Sequence, residues 1–472
     1  MTTSETPAKE RREPALAPGN EVEVDFTDLL ANGQAVGRTA GMVLFCFGPL
    51  PGERARVRVQ SIKPKYAVAK LLQLLTESPD RTKPFCPVFG TCGGCQTQHL
   101  GYAAQLRWKR EVVRGALTRI GGFSEVNVRE TVGMANPRAY RNKMSLVVDV
   151  RGAKTRLGFY QQRSHAIVPI DGCPIMTPQL DALISRLNVA SAREETRPAF
   201  ARARHIVARS AGETGGAAVT FTTRVPDTGV EKSARFLMNA LPGTVGISNS
   251  FDLANENAIV GRAQRSVAGS PEIEEEILGV RYRVSAGSFF QVNVEIVAQI
   301  FEHLRPKLNA KPNIVDLYCG AGTFALFFAK HGCTVFGIEE SRKAVEEANA
   351  NARLNCLHGL VDFRSAKVEN ALNAPAAKRA LHAADVVFLD PPRKGSDAAT
   401  LEAVAAAQVP SVWYLSCDPA TLARDLKFLA EKGYTLNEAM PFDMFPQTGH
   451  VETLAILSHH ASPTSGATLA SQ

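Results

Sequence analysis

IVDLYCGAGTFALFFAKHGCTVFGIE, residues 314–339, decides the fold. IVDLY (314–318) is a continuous apolar run of the kind that a strand buried on both faces requires. Gly320 and Gly322 permit a tight turn, an apolar helix is expected around 323–330, and TVFGIE (334–339) is the next strand. The pattern continues toward the C-terminus with a helix over 342–355, the strand DVVFLD (385–390), the strand SVWYLSC (411–417) and a helix from Pro419 to Lys432. Strands alternating with helices predict a parallel, doubly wound α/β sheet over 285–460. In such sheets ligands bind where the carboxyl ends of the strands meet, so the residues that close each strand are the ones to read for chemistry.

The 472 residues are too many for one core, and the part before 285 reads differently. In 20–78, Val22, Val24 and Phe26 alternate with acids, and RARVRVQ sets Ala55, Val57 and Val59 against Arg54, Arg56 and Arg58. Short strands between Gly and Pro turns predict a small β-barrel. The Arg stripe, with Lys63, Lys65 and Lys70, offers a phosphate-contacting face, the alternative being a solvated strand surface. PLPGERARVRV followed by KPKYAVAKLLQLL resembles a TRAM domain, an RNA-binding barrel. Residues 79–284 are expected to form a central α+β domain that carries a Cys- and Gly-rich loop. Within it a helix is expected from Tyr102 to Ile120, with Leu106, Val113, Leu117 and Ile120 on one side, and a hairpin from YRNKMSLVVDV (140–150) and LGFYQ (157–161). Residues 1–19 and 461–472 have the composition of disordered tails, and the first of them lacks the apolar core of a secretory signal.

Strand ends supply the candidate chemistry. Glu339 closes the second strand, where an acid can accept two ribose hydroxyls. NAD would suit that acid as well, but the last Gly of a G-x-G-x-x-G loop is replaced by Ala325. Without a pyrophosphate loop, S-adenosylmethionine is favoured, and the turn resembles that of class I methyltransferases. That family places a polar residue near the adenine after the third strand, where FRSAKVEN (363–370) has Lys367. DPPRKG (390–395) puts Asp390 at a strand end and Arg393 where amino-directed methyltransferases carry an aromatic, which argues against an exocyclic amine as the target. In LSCDP (415–419), Cys417 ends a strand before a helix capped by Asp418, a setting expected to favour its thiolate. Position alone leaves open whether Cys417 is a nucleophile or a small buried hydrophobe. A thiolate that adds to carbon 6 of uracil makes carbon 5 nucleophilic, and a base must later remove the carbon 5 proton. Glu452, in FPQTGHVETLAIL (445–457), is the candidate base and His450 the alternative.

DLYCGAGTF, FLDPPRKG, YLSCDPATLARDL and FPQTGHVETLAIL, preceded by SFFQVN (288–293), together resemble the uracil-5 RNA methyltransferase family over about 20–460. The resemblance implies Cys417 as nucleophile and Glu452 as base, with Gln291, Tyr318, Glu339 and Asp390 at cofactor-binding positions. Cys86, Cys92 and Cys95 form C-x5-C-G-G-C, and Cys173 is the best fourth thiolate; spacing alone suits either zinc or iron–sulfur. The resemblance implies a 4Fe-4S cluster, a feature of members that modify 23S ribosomal RNA.

A net charge of +8 suits a polyanionic partner such as RNA. Arg141, Lys143 and Phe289 are candidates to contact it. No apolar run approaches the ~18–20 residues of a membrane helix, so a monomeric cytoplasmic enzyme is expected. The competing readings are a transfer-RNA methyltransferase and a non-enzymatic iron–sulfur RNA-binding protein.

Overall fold

The computed structural model describes residues 16–152, 154–212, 216–255 and 257–460. The expected tails therefore lie outside the described residues, apart from 16–19. The chain falls into two compact units. One comprises the residues up to Gly90 with Cys95–Ala104 and Gln447–Gly449, and the other holds Thr91–Gly94, Gln105–Pro446 and His450 onward.

In the first unit, strands Glu21–Leu29, Gln34–Thr39, Met42–Phe47, Arg54–Lys63 and Tyr66–Thr76 close into a barrel. The alternation in RARVRV is the cause: Ala55, Val57 and Val59 are buried inside while the three arginines point outward. Those arginines do not form a free basic stripe. Arg54 and Arg56 both pair with Glu23, at 3.1 and 3.2 Å, and Arg58 pairs with Glu21 at 2.7 Å. Antiparallel register sets Glu21 opposite Arg58 and Glu23 opposite Arg56, so the acids that alternate with Val22 and Val24 meet the basic face.

In the second unit, a seven-stranded sheet is built from residues 143–269. The expected hairpin is present as Lys143–Arg151 paired with Lys154–Tyr160. The helix α1 (Tyr102–Arg119) buries Val113 and Leu117 in one core with Val315, Leu317, Val387 and Val412. Full burial of such aliphatic side chains is worth about 1.5–3 kcal/mol each. Ile120, expected on the same side, lies just past the helix end and is exposed.

A second seven-stranded sheet carries the site. Its strands are β1 (Asn313–Leu317), β2 (Thr334–Glu339), β3 (Val361–Ser365), β4 (Val386–Leu389), β5 (Ser411–Ser416), β6 (Tyr434–Phe442) and β7 (Glu452–His459), in the order β3-β2-β1-β4-β5-β7-β6. β1 to β5 pair in parallel, as the alternation predicts, whereas β7 runs antiparallel between β5 and β6. That reversal brings the first residue of β7, Glu452, to the edge at which β5 ends, opposite the sheet position just after Ser416. Helices α2 (Val294–Leu304), α3 (Thr323–Lys330), α4 (Arg342–Leu354) and α5 (Pro419–Glu431) flank these strands. Among the described residues no helix is long and apolar enough to cross a membrane.

Candidate active site

A cavity of about 760 Å³ opens at the carboxyl ends of β1, β2, β4 and β5, beside the 287–292 loop and the start of β7. The turn after β1 forms its floor. Tyr318 adopts φ +69° and Gly320 φ +54°, so the chain bends sharply out of the strand. Gly322, at φ +84°, caps α3; a Cβ there would stand 3.3 Å from both Ala348 Cβ and Phe363 Cζ. The Gly320 N–H donates to Glu339 Oε2 at 3.2 Å and the Ser341 N–H to Oε1 at 2.7 Å, which fixes the Glu339 carboxylate at the end of β2 with lone pairs to spare.

Asp316, at the end of β1, was not among the residues singled out from the sequence. It is 1% exposed, and neither of its oxygens has a hydrogen-bond partner of good geometry; the Ala325 N–H acts in the direction that favours its ionised form. Burial, with Asp390 nearby, pushes its carboxyl well above the usual range. A buried acid without a partner, facing a cavity, is costly unless a cationic ligand completes it. The signal available in the sequence was an acid directly ahead of a Gly-rich turn.

Asp390, Cys417 and Glu452 line the same cavity. Burial raises Asp390 to about 7. Burial raises Glu452 to about 8, with a further push from Asp390 and an opposing pull from Arg393. Cys417 is half-buried, and burial together with Glu452 and Asp390 drives its thiol up to about 12. This corrects the expectation of a thiolate stabilised by the helix terminus. The Asp418 side chain accepts the Ala420 and Thr421 N–H groups, both at 2.9 Å, so the first-turn donors of α5 are taken, and the neighbours of the thiol are acids. Arg393 is the opposing cation, and its Nη2 lies 3.5 Å from His450 Nε2. Burial and Arg393 lower His450 to about 4, which leaves it a much weaker base than Glu452.

Gln291 and Tyr318 also line the cavity, so the six residues expected at the catalytic and cofactor positions share one space. The Tyr318 hydroxyl meets Ser396 Oγ at 3.0 Å. Lys367 stands on the wall with Val368 and Glu369, and pairs with Glu340 at 3.8 Å. Of the residues expected to contact RNA, Phe289 is 74% exposed at the cavity. Lys143 instead turns inward: its Nζ donates to the Ser288 carbonyl at 3.0 Å, and burial beside Arg209 and Arg141 lowers it to about 7. The Arg141 Nε donates to the Lys143 carbonyl at 3.0 Å.

Cys86, Cys92, Cys95 and Cys173 are partly buried, but among the described residues no group of three or more His, Cys, Asp or Glu is placed to hold a metal ion. Cys92 Sγ accepts the Gly94 N–H of its own loop at 3.4 Å, and the Cys173 N–H donates to Asp181 Oδ1 at 2.5 Å.

Comparison with known proteins agrees with this geometry. Residues 259–460 match the tRNA (Uracil-5-)-methyltransferase family and residues 16–72 the TRAM domain. An uncharacterized RNA methyltransferase of Halalkalibacterium halodurans is 37% identical over 93% of this chain and 98% of its own length. One from Clostridium acetobutylicum is 33% identical over 93% and 97%. Among solved structures, the Pyrococcus abyssi tRNA (uracil-54, C5)-methyltransferase in complex with S-adenosyl-L-homocysteine superposes with a TM-score of 0.70 and 26% identity, over 92% of this chain and 100% of that one. With its N-terminal TRAM barrel and a C-terminal domain that matches the tRNA (Uracil-5-)-methyltransferase family, the chain belongs to the same family as these RNA methyltransferases.

Proposed function

We propose that this protein transfers a methyl group from S-adenosylmethionine to carbon 5 of a uridine in 23S ribosomal RNA, with Cys417 as covalent nucleophile and Glu452 as general base. The observation that carries the reading is one cavity lined by Cys417, Glu452 and Asp390 together with Asp316 and Glu339 of the Gly-turn region. The residues fit the methyl donor: Glu339 has lone pairs left for ribose hydroxyls, and the uncompensated Asp316 and Asp390 suit a cationic ligand. When bound, the donor offers an electrophilic methyl group on a sulfonium.

The chain's own residues do the rest. Cys417 Sγ, having lost its proton to solvent, bonds to carbon 6, and the electron pair of the ring double bond moves to carbon 5, which takes the methyl group as its bond to the sulfonium breaks and leaves that electron pair on sulfur. The Glu452 carboxylate then removes the carbon 5 proton, the double bond re-forms, and the Sγ–carbon 6 bond breaks to return the thiolate. Arg393 is the side chain that favours both anionic forms. To meet Cys417 the target base must leave its stack, and the exposed Phe289 ring at the cavity suits such a base.

RNA containing 5-fluorouridine, incubated with enzyme and methyl donor, should give a stable protein–RNA adduct that Cys417→Ala abolishes. No adduct with the wild type would sink the mechanism. The Pyrococcus protein, which by its description acts on uracil-54 of transfer RNA, favours a second reading with transfer RNA as substrate. Mapping 5-methyluridine in ribosomal and transfer RNA of a deletion strain separates the two. A 4Fe-4S cluster on Cys86, Cys92, Cys95 and Cys173 is proposed from their spacing and family pattern. Iron and sulfide analysis of anaerobically purified protein tests it, and the mechanism above does not depend on it. Action in the cytoplasm as a monomer completes the proposal.

A further inference from the structure

Between β6 and β7 the chain makes a loop, residues 443–451, that delivers Phe445, His450 and then Glu452 to the cavity. Three consecutive carbonyls of this loop are each held by a side chain from a distant part of the chain. Asn293 Nδ2 donates to the Met444 carbonyl at 3.2 Å, Lys109 Nζ to the Phe445 carbonyl at 3.2 Å, and the Tyr140 hydroxyl to the Pro446 carbonyl at 3.0 Å. Lys109 also forms an ion pair with Asp443, and both side chains are fully buried. Tyr140 and Asn293 are 5% and 1% exposed.

The donors are themselves fixed. Lys109 projects from α1, whose Val113 and Leu117 sit in the core beneath the catalytic sheet. Asn293 caps α2 by accepting the Ile296 N–H at 3.3 Å. A buried Lys–Asp pair is a poor source of stability, because apolar residues of similar volume commonly do as well. Its distinctive property is geometric, since one ammonium holds a carboxylate and a carbonyl two residues apart in a set relation. The Phe445 ring, placed this way, meets His450 edge-on at 5.8 Å.

We infer that Lys109, Tyr140 and Asn293 form a clamp on the 443–451 loop and act as positioning residues for Glu452, an inference that rests on the reading of Glu452 as the base. A base that must reach a carbon-bound proton tolerates little displacement; a shift of about 1 Å can cost about a hundredfold. The clamp therefore acts on resolution of the adduct more than on RNA binding.

Two variants test this without simply unfolding the site. Tyr140→Phe removes one hydroxyl and keeps the ring. Lys109→Met with Asp443→Leu removes both buried charges together, so neither is stranded. Each is assayed with total RNA from a deletion strain and tritiated methyl donor, alongside Glu452→Gln, and amide exchange is followed across residues 443–451. The expected result is kcat down about tenfold to a hundredfold with RNA KM changed less than about threefold, tritiated protein–RNA adduct accumulating, and faster exchange confined to the loop. Unchanged turnover, adduct level and loop exchange in both folded variants would overturn the clamp. If Glu452→Gln accumulates no adduct, the base assignment fails instead, and slowed turnover with faster loop exchange in the clamp variants still upholds the clamp.

Discussion

Glu452 is a carboxylate made basic by its surroundings. Burial and Asp390 lift it from 4.5 to about 8, whereas His450, two residues earlier, is pushed down to about 4 by burial and Arg393. The consequence for rate is direct: kcat/KM should climb with pH, most steeply up to about 8, where Glu452 becomes ionised, and should go on rising above it as the Cys417 thiol ionises. Glu452→Gln should abolish turnover and trap the adduct. The same shift affects stability with a definite sign. Between pH 4.5 and about 8 the folded chain keeps a proton that the unfolded chain has lost, so the benefit present below 4.5 drains away as pH rises through that window. Glu452→Gln cannot titrate and escapes the loss. Its Tm should gain on that of the wild type as pH increases from about 5 to about 8, by the equivalent of a few kcal/mol. Thermal melts at a series of pH values check this, and a constant Tm difference would mean that Glu452 is not carrying the proton.

The loop after β4 shows what an element needs beyond its own sequence. Asp425 on α5 is 1% exposed, and its Oδ2 accepts the Ser396 N–H at 2.9 Å and the Tyr414 hydroxyl at 2.6 Å, while Oδ1 accepts from Arg424 Nε at 2.7 Å. Arg424 reaches on to the Lys394 carbonyl at 3.0 Å. Gly395, at φ +78°, is required because a Cβ would stand 2.5 Å from Arg424 Nη2 and 2.6 Å from Asp425 Oδ2. Asp425→Asn exchanges one buried acceptor for a donor facing other donors. It should lower stability by about 2–4 kcal/mol, read as a lower urea midpoint at unchanged m, and should slow methyl transfer because Asp390 and Arg393 lie on the loop it braces.

Such cross-element bonds were not legible in the sequence, whereas the Gly turn, β1, β2, β4, β5 and their helices were, because buried parallel strands are plain apolar runs. β6 escaped notice because a bulge between Leu436 and Glu438 breaks its alternation and Pro441 interrupts it. In the central sheet, His205–Ser210 is buried throughout yet contains His205, Arg209 and Ser210, so polarity did not reveal its interior position. Cys417, Glu452, Gln291, Tyr318, Glu339 and Asp390 could be named from their motifs. Asp316 could not be weighed, since its importance lies in the partner it lacks.

At the scale of the whole chain, a net charge of +8 says only that a polyanion is welcome; the structure says which cations are free to meet it. On the barrel, Arg54, Arg56 and Arg58 face Glu21 and Glu23, so three positive charges are already opposed by two negative ones. Lys63 at the end of the arginine strand, Lys65 in the turn after it and Lys70 on the next strand are exposed and have no acidic partner among the described residues. Each cation that neutralises an RNA phosphate releases counterions and contributes about 0.7 to the slope of log affinity against log salt for a single strand. Replacing the three lysines by Gln should therefore flatten that slope by about 2. Replacing the three arginines by Gln removes three positive charges, but charges already engaged by Glu21 and Glu23 in place of phosphate release few counterions, and the slope should change by less than about 1. Fluorescence anisotropy with labelled RNA over a salt series measures both. A larger loss from the arginine set would mean that RNA breaks the Glu–Arg ladder on binding, and would return the phosphate-contacting face to the stripe first legible in RARVRVQ.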